Sequence, residues 1–211
     1  PDFLYDGIFK QAGIIRVRSI EDLYAHGWAL ATQPPLRGKR VGIVTNSGGP
    51  GTAIAYTCDQ AGMEVPRLSD RLQEEIRSKI APHASPSNPV DVTFDLSMQK
   101  LATTLPEMIM KSGEVDAIVL HGIMHSGFMI EVFSHLRDFI GGMSYEDFLE
   151  GTRSLKGDAF DLPHKCSIPF LISSFFDHED NYTKSYQDAN TPVFNSPENA
   201  ARALGSLYRY K

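Results

Sequence analysis

Cysteine is scarce in this sequence, with Cys58 and Cys166 the only two in 211 residues. They stand far apart, which argues against a disulfide framework and for a reducing cytoplasm, with Cys58 a small core residue inside a helix. An excess of positive charge is lacking as well. Twenty Lys and Arg against 26 Asp and Glu leave a formal charge of -6, unlike nucleic-acid binders, which concentrate positive charge, and poorly suited to an anionic membrane surface. No stretch approaches the roughly 18–20 apolar residues of a membrane span. Repeats and low-complexity tracts are missing too, and the first residue is Pro1 rather than methionine. The expectation is a segment of something longer, whose first helix belongs to a preceding domain.

What is present points to a folded core. Hydrophobic residues make up 42% and charged residues 22%, near globular averages. The length suits one α/β domain with an appendage. Asp2–Ala12 predicts a helix stopped by Gly13, Ile14–Val17 a short strand, and Ser19 caps a second helix running toward Thr32. Residues 33–38, Gln-Pro-Pro-Leu-Arg-Gly, read as a linker. We therefore divide the chain into a lead-in over residues 1–37 and a main domain over 38–211.

In the main domain, Val41–Val44 reads as a buried parallel strand and Thr52–Ala61 as a helix ended by Gly62. Met63–Leu68 is a candidate edge strand, demoted by Pro66, and Ser69 caps a helix to Ile80. A Pro/Ser/Asn-rich connection follows, ending in Val90-Asp91-Val92-Thr93. Then come a helix near Ser97–Lys111, a strand over Val115–His121, helices over Phe128–Ile140 and Tyr145–Leu155, and a strand over Ile168–Phe175. A helix near Glu179–Ala189, a strand at Pro192–Phe194 and a closing helix from Pro197 to Tyr210 complete the order. Alternating strands and helices imply a five-strand, flavodoxin-like, doubly wound parallel sheet with helices on both faces.

The most informative stretch is Val41–Gly62. A buried strand runs into Asn46-Ser47-Gly48-Gly49-Pro50-Gly51, and a helix begins at Thr52. Glycines let backbone N–H groups turn toward a ligand, and a helix start adds unpaired donors and the positive end of the macrodipole. This is an anion site, most plausibly for phosphate, or else an ordinary tight turn. It is neither a Walker A loop nor a G-x-G-x-x-G turn. Asn88 and Asp91 either border that site or organise their loop. His121 and His125 are spaced H-x-x-x-H but fall at a strand end, so lining of the sheet edge or a local structural role outweighs metal binding. We assign no metal site. Trp28 packs against the main domain or a neighbour outside the chain.

The wording is more specific than the physics. I-V-T-N-S-G-G-P-G at residues 43–51 resembles the second flavodoxin-like domain of the NDP-forming acyl-CoA synthetases, the superfamily of succinyl-CoA synthetase. Gln11-Ala12-Gly13-Ile14-Ile15-Arg16-Val17 with Ile20-Glu21-Asp22-Leu23, Asn88-Pro89-Val90-Asp91-Val92-Thr93, and Thr191–Phe194 with Pro197–Leu204 resemble further blocks of that family in the same order. Residues 128–166 match poorly and look like a helical insertion.

The resemblance implies a reaction in which acyl-CoA, phosphate and ADP are interconverted with acid, CoA and ATP. A histidine carries the phosphoryl group, held between helix N-termini of two flavodoxin-like domains. Asn46, Ser47, Gly48, Gly49, Gly51 and Thr52 fall on the phosphohistidine-stabilising side, and Asn88, Asp91, His121 and His125 stay candidates either for lining it or for a local structural role. The family's histidine belongs to an S-H-T-G-type segment shortly before the Q-A-G block, and none stands there in this chain. The segment alone is therefore expected to be inactive, with no catalytic residue of its own and no tightly bound cofactor. The complete enzyme is expected to use CoA, ADP or ATP, and magnesium. The expected partners are CoA-binding, phosphohistidine and ATP-grasp domains or subunits, with a homo-oligomer open and a cytoplasmic setting. The alternative is a non-catalytic module of the same ancestry, such as the synthetase-like region of a protein acyltransferase. An FMN-binding flavodoxin fits less well, because a Ser/Thr-rich phosphate loop is missing.

Overall fold

A computed structural model of the chain describes residues 2–17, 19–95, 97–122, 126–154, 161–175 and 179–210, less the side chains of 152–154 and 182. Five parallel strands form one sheet in the order β2-β1-β3-β4-β5. They are β1 Val41–Thr45, β2 Val90–Asp91, β3 Ala117–His121, β4 Phe170–Ser173 and β5 Val193–Phe194. The three central strands are buried at every residue, which is why they read as unbroken apolar runs rather than alternating ones.

The helices are α1 Asp2–Gln11, α2 Ile20–Thr32, α3 Gly48–Gln60, α4 Asp70–Arg77, α5 Leu105–Ser112, α6 Ser126–Leu136, α7 Tyr145–Ser154, α8 Leu162–Cys166, α9 Asn181–Asp188 and α10 Pro197–Arg209. One sheet face, carrying Val44, Val90, Ile118, Leu120, Phe170 and Ile172, packs on Leu72 and Ile76 of α4 and Leu105 and Ile109 of α5. The other, carrying Val41, Ile43, Val119 and Leu171, packs on Ile54 and Cys58 of α3 and Ala200, Ala201 and Leu204 of α10. Ser69 and Ser196 cap α4 and α10, each accepting the N–H three residues on, which replaces one unpaired donor at each helix start.

Two sequence expectations are corrected at the outer edge of β1. Met63–Leu68 does not form a strand. Only Glu64 bridges Arg40, its N–H donating to Lys39 O and its carbonyl accepting from Val41 N–H, both at 2.7 Å. Pro66, two residues on, has no N–H to extend the ladder. The strand instead comes from Val90–Asp91, paired with Val44 and Thr45. Between these two pieces the Asn88 side chain takes the place of backbone. Its Oδ1 accepts from Ile43 N–H at 2.9 Å, and its Nδ2 donates to Val41 O at 2.8 Å and Pro66 O at 3.0 Å. Ile14–Val17 is not a strand either. The helix expected near residues 97–111 is present over 98–112, with a π-turn at Lys100–Thr104 before α5.

The lead-in divides in two. None of α1 is buried, whereas α2 docks on α10. His26 Nδ1 meets Ser206 Oγ at 2.8 Å, Gln33 Oε1 accepts from Phe170 N–H at 2.8 Å, and Trp28 packs against Phe194 with ring centroids 6.1 Å apart. Between β3 and β4 the chain carries α6, α7 and α8. No helix among the described residues is long and apolar enough to cross a membrane.

Candidate functional site

The carboxyl end of β1 is shaped by one hydroxyl. Thr45 Oγ1 accepts from Ser47 N–H at 3.1 Å and donates to Ser47 O at 2.8 Å, drawing Asn46 and Ser47 into a tight turn. Ser47 is extended, with φ -155 and ψ 143, and its side chain makes no capping hydrogen bond. Helix α3 begins at Gly48, so the expected start at Thr52 is corrected: Gly48-Gly49-Pro50-Gly51 is the first helical turn, not a loop before it. Pro50 is tolerated there because its missing N–H lies among the four that a helix start leaves unpaired anyway.

The hydrogen-bond ledger of that turn is short. Gly51 N–H reaches Ser47 O at 3.5 Å, and Thr52 Oγ1 donates to Gly48 O at 2.9 Å. Among the described residues the N–H groups of Gly48 and Gly49 meet no acceptor. Both glycines are exposed, so two free donors stand at the positive end of a 13-residue helix. The glycines differ in what they permit. A Cβ on Gly51 would come within 2.9 Å of Thr45 Cγ2 and 3.3 Å of Pro89 Cβ, whereas one on Gly49 would meet nothing within 4 Å.

Asn46 ties three segments together. Its N–H donates to His121 O at 3.3 Å, its carbonyl accepts from Phe94 N–H at 2.7 Å, and its Nδ2 donates to Gly122 O at 3.4 Å. Gly122 has φ 108, and a Cβ there would stand 2.2 Å from Asn46 Cγ; only glycine leaves room for that carboxamide. Thr93 and Phe94 beside it also have positive φ, 50 and 59. Asp91 borders the helix start: its Oδ1 accepts from Thr93 N–H at 2.8 Å, and its Oδ2 lies 3.3 Å from where a Gly48 Cβ would be.

His121 ends β3, in register with Thr45 on one side and Ser173 on the other. The residue is 4% exposed, its Nδ1 meets Ser173 Oγ at 2.8 Å, and its ring stands edge-on to Phe175 with centroids 4.8 Å apart. Burial pushes its pKa down to about 4, so the ring is neutral at pH 7.

The structure thus brings Asn46, Ser47, Gly48, Gly49, Gly51, Thr52, Asp91 and His121 to one end of the sheet. Asn88 is committed to the backbone of β1 instead. His125 lies outside the described residues. Among those described, no three His, Cys, Asp or Glu converge as a metal site. Sequence reasoning passed over Thr45, Gly122 and Ser173. The first was legible as a hydroxyl closing a buried strand two residues before a serine. The pairing of His121 with Ser173 was not, because it depends on strand order.

No family model matches the sequence. Its relatives are informative nonetheless. The chain is 32% identical over 116 residues to subunit alpha of acetate–CoA ligase [ADP-forming] II of Pyrococcus furiosus, covering 55% of this chain and 25% of that protein. It is 26% identical over 206 residues to acetate–CoA ligase [ADP-forming] I of Archaeoglobus fulgidus, covering 98% of this chain and 26% of that protein. Among solved structures, the dinucleotide-forming acetyl-coenzyme A synthetase 1 of Ca. Korarchaeum cryptofilum, in complex with phosphate and ADP, shares the fold. It superposes with a TM-score of 0.74 at 21% identity, over all of this chain and 41% of that one. The chain spans about a quarter of the length of these two relatives. Its relatives are ADP-forming CoA ligases, and it corresponds to one α/β part of such a protein.

Proposed function

We propose that this chain is the part of an ADP-forming acyl-CoA synthetase that receives a phosphoryl group at the start of α3, carried there on a histidine from outside the 211 residues. The observation that carries the reading is the pair of free, exposed amides of Gly48 and Gly49 at the positive end of α3, in a chain whose relatives are ADP-forming CoA ligases.

The whole protein's reaction is then a relay. Phosphate attacks the thioester carbonyl of acyl-CoA and CoA leaves as thiolate. The histidine attacks phosphorus in the acyl phosphate and the carboxylate leaves. The terminal oxygen of ADP then takes the phosphoryl group, and the imidazole is released. This chain's contribution is electrostatic. Gly48 and Gly49 donate to phosphoryl oxygens without changing protonation state, and the helix dipole adds to them. Asp91, beside the same amides, opposes permanent capture of an anion, which suits a group that must leave again. The CoA, ADP and magnesium sites belong to partner domains or subunits in this reading. The two unpaired thiols accord with a cytoplasmic setting.

The test is an amide-resolved titration of the 15N-labelled chain with inorganic phosphate. Saturable shifts centred on Gly48 and Gly49 are expected. Shifts spread over basic side chains elsewhere, with those two amides unmoved, would overturn the assignment.

A further inference from the structure

The carboxyl edge of the sheet carries a second feature on the same face as α3. Along β1, β3 and β4 the residues that face α3 and α10 are Val41 and Ile43, Ala117 and Val119, and Leu171. Continuing the two-residue period puts Thr45, His121 and Ser173 in one row on that face. They are direct register partners, Thr45 with His121 and His121 with Ser173, so neighbouring backbones are about 4.8 Å apart. Thr45 is the residue whose hydroxyl holds Ser47 in place before Gly48. His121 is therefore one strand removed from the free amides.

Its hydrogen bonding is half complete. Nδ1 meets Ser173 Oγ at 2.8 Å, and Ser173 is wholly buried. Among the described residues Nε2 meets no partner, and unlike His26 Nε2 it is not among the fully buried unpaired atoms. The residue is only 4% exposed, and its register with Thr45 puts it at the end of the sheet where α3 starts. Glu198, in the first turn of α10, is near enough to act on the ring's charge.

We infer that His121 is a further ligand of the phosphoryl group, donating from Nε2–H, and that Ser173 is a positioning residue that holds the ring in this tautomer. The inference rests on the reading of α3 given above. If Ser173 Oγ–H donates to Nδ1, the single ring proton must stand on Nε2. The pair then presents a neutral donor whose orientation is set by a buried hydroxyl. A neutral donor stabilises phosphoryl oxygens without holding them as an ammonium would, and burial against Phe175 keeps the ring from turning away.

The experiment uses the 211-residue chain with 15N-labelled histidine. Long-range proton–nitrogen spectra report the tautomer, and phosphate is then added. The Nε2–H tautomer is expected, with Nε2 shifting along the same saturation curve as the Gly48 and Gly49 amides. Ser173→Ala is expected to mix the tautomers, and His121→Phe to weaken phosphate binding about threefold to tenfold, the effect of one hydrogen bond. A ring protonated on Nδ1 overturns the inference. Shifts at Gly48 and Gly49 with Nε2 unmoved overturn it while leaving the α3 reading intact. Silence at all three positions overturns both.

Discussion

At the scale of single residues, burial decides the chemistry more than residue type does. The unfolded imidazole of His121 titrates near 6.5, and the folded one at about 4 because burial disfavours its charged form. Above pH 6.5 both states are neutral there and the ring leaves stability unchanged. As the pH falls from 6.5 to 4 the unfolded chain binds a proton that the folded chain refuses, so stability drops, by on the order of 3 kcal/mol in all. His26, also lowered by burial, acts in the same direction. Urea midpoints measured from pH 7 to pH 4 are expected to fall, and His121→Asn is expected to flatten the curve. Cys58 follows the same logic from the other side. Burial pushes its thiol up to about 12, whereas Cys166 is only partly buried. A thiol reagent at pH 8 is expected to modify Cys166 first and Cys58 only as the chain unfolds; peptide mapping after a short exposure checks this.

The elements show what could be read from sequence and what could not. Central strands β1, β3 and β4 were legible because both faces are buried and the residues are almost all apolar. The glycine-rich turn after β1 was legible as the approach to a helix but misread as a loop, because glycine and proline disfavour helix interiors and nothing local reveals that Ser47 is already the cap. The second strand was misplaced for a clearer reason. Met63–Leu68 has the composition of a strand, yet Pro66 cannot donate, while Val90–Asp91 is too short to signal itself. Asn88 shows the limit most plainly: an Asn before Pro reads as a turn, and only the folded chain reveals its amide filling a gap in the sheet.

Asn88→Ala removes three hydrogen bonds to the backbone of β1 and Pro66, and is expected to cost about 2–4 kcal/mol, measurable by chemical denaturation. The glycines of α3 separate packing from binding. Gly51→Val forces side-chain atoms into Thr45 and Pro89 and is expected to destabilise by about 1–3 kcal/mol. Gly49→Val has open space and is expected to change stability by less than about 1 kcal/mol while abolishing the phosphate response. Thermal melts with and without phosphate distinguish the two.

For the whole molecule, α2 packs on α10 while no residue of α1 is buried, so the cooperative unit is expected to start at α2. Helix α1 leaves Phe3, Leu4, Tyr5 and Ile8 more than half exposed and is held by exposed ion pairs from Arg16 to Asp2 and Asp6, a kind worth little. Deleting residues 1–13 is expected to cost less than about 1 kcal/mol. Replacing Ala29, wholly buried between α2 and α10, by a larger residue is expected to cost about 1–3 kcal/mol. Calorimetry on both variants tests where the cooperative unit starts.

The patched border of β1 has one more consequence. With a bridge from Glu64, a carboxamide from Asn88 and a two-residue strand along one side of the sheet, and another two-residue strand along the other, neither margin offers a long row of unpaired backbone groups. A stray strand from a neighbouring chain finds no template on which to grow, so the sheet is guarded against fibrous self-assembly by the same asparagine that completes it.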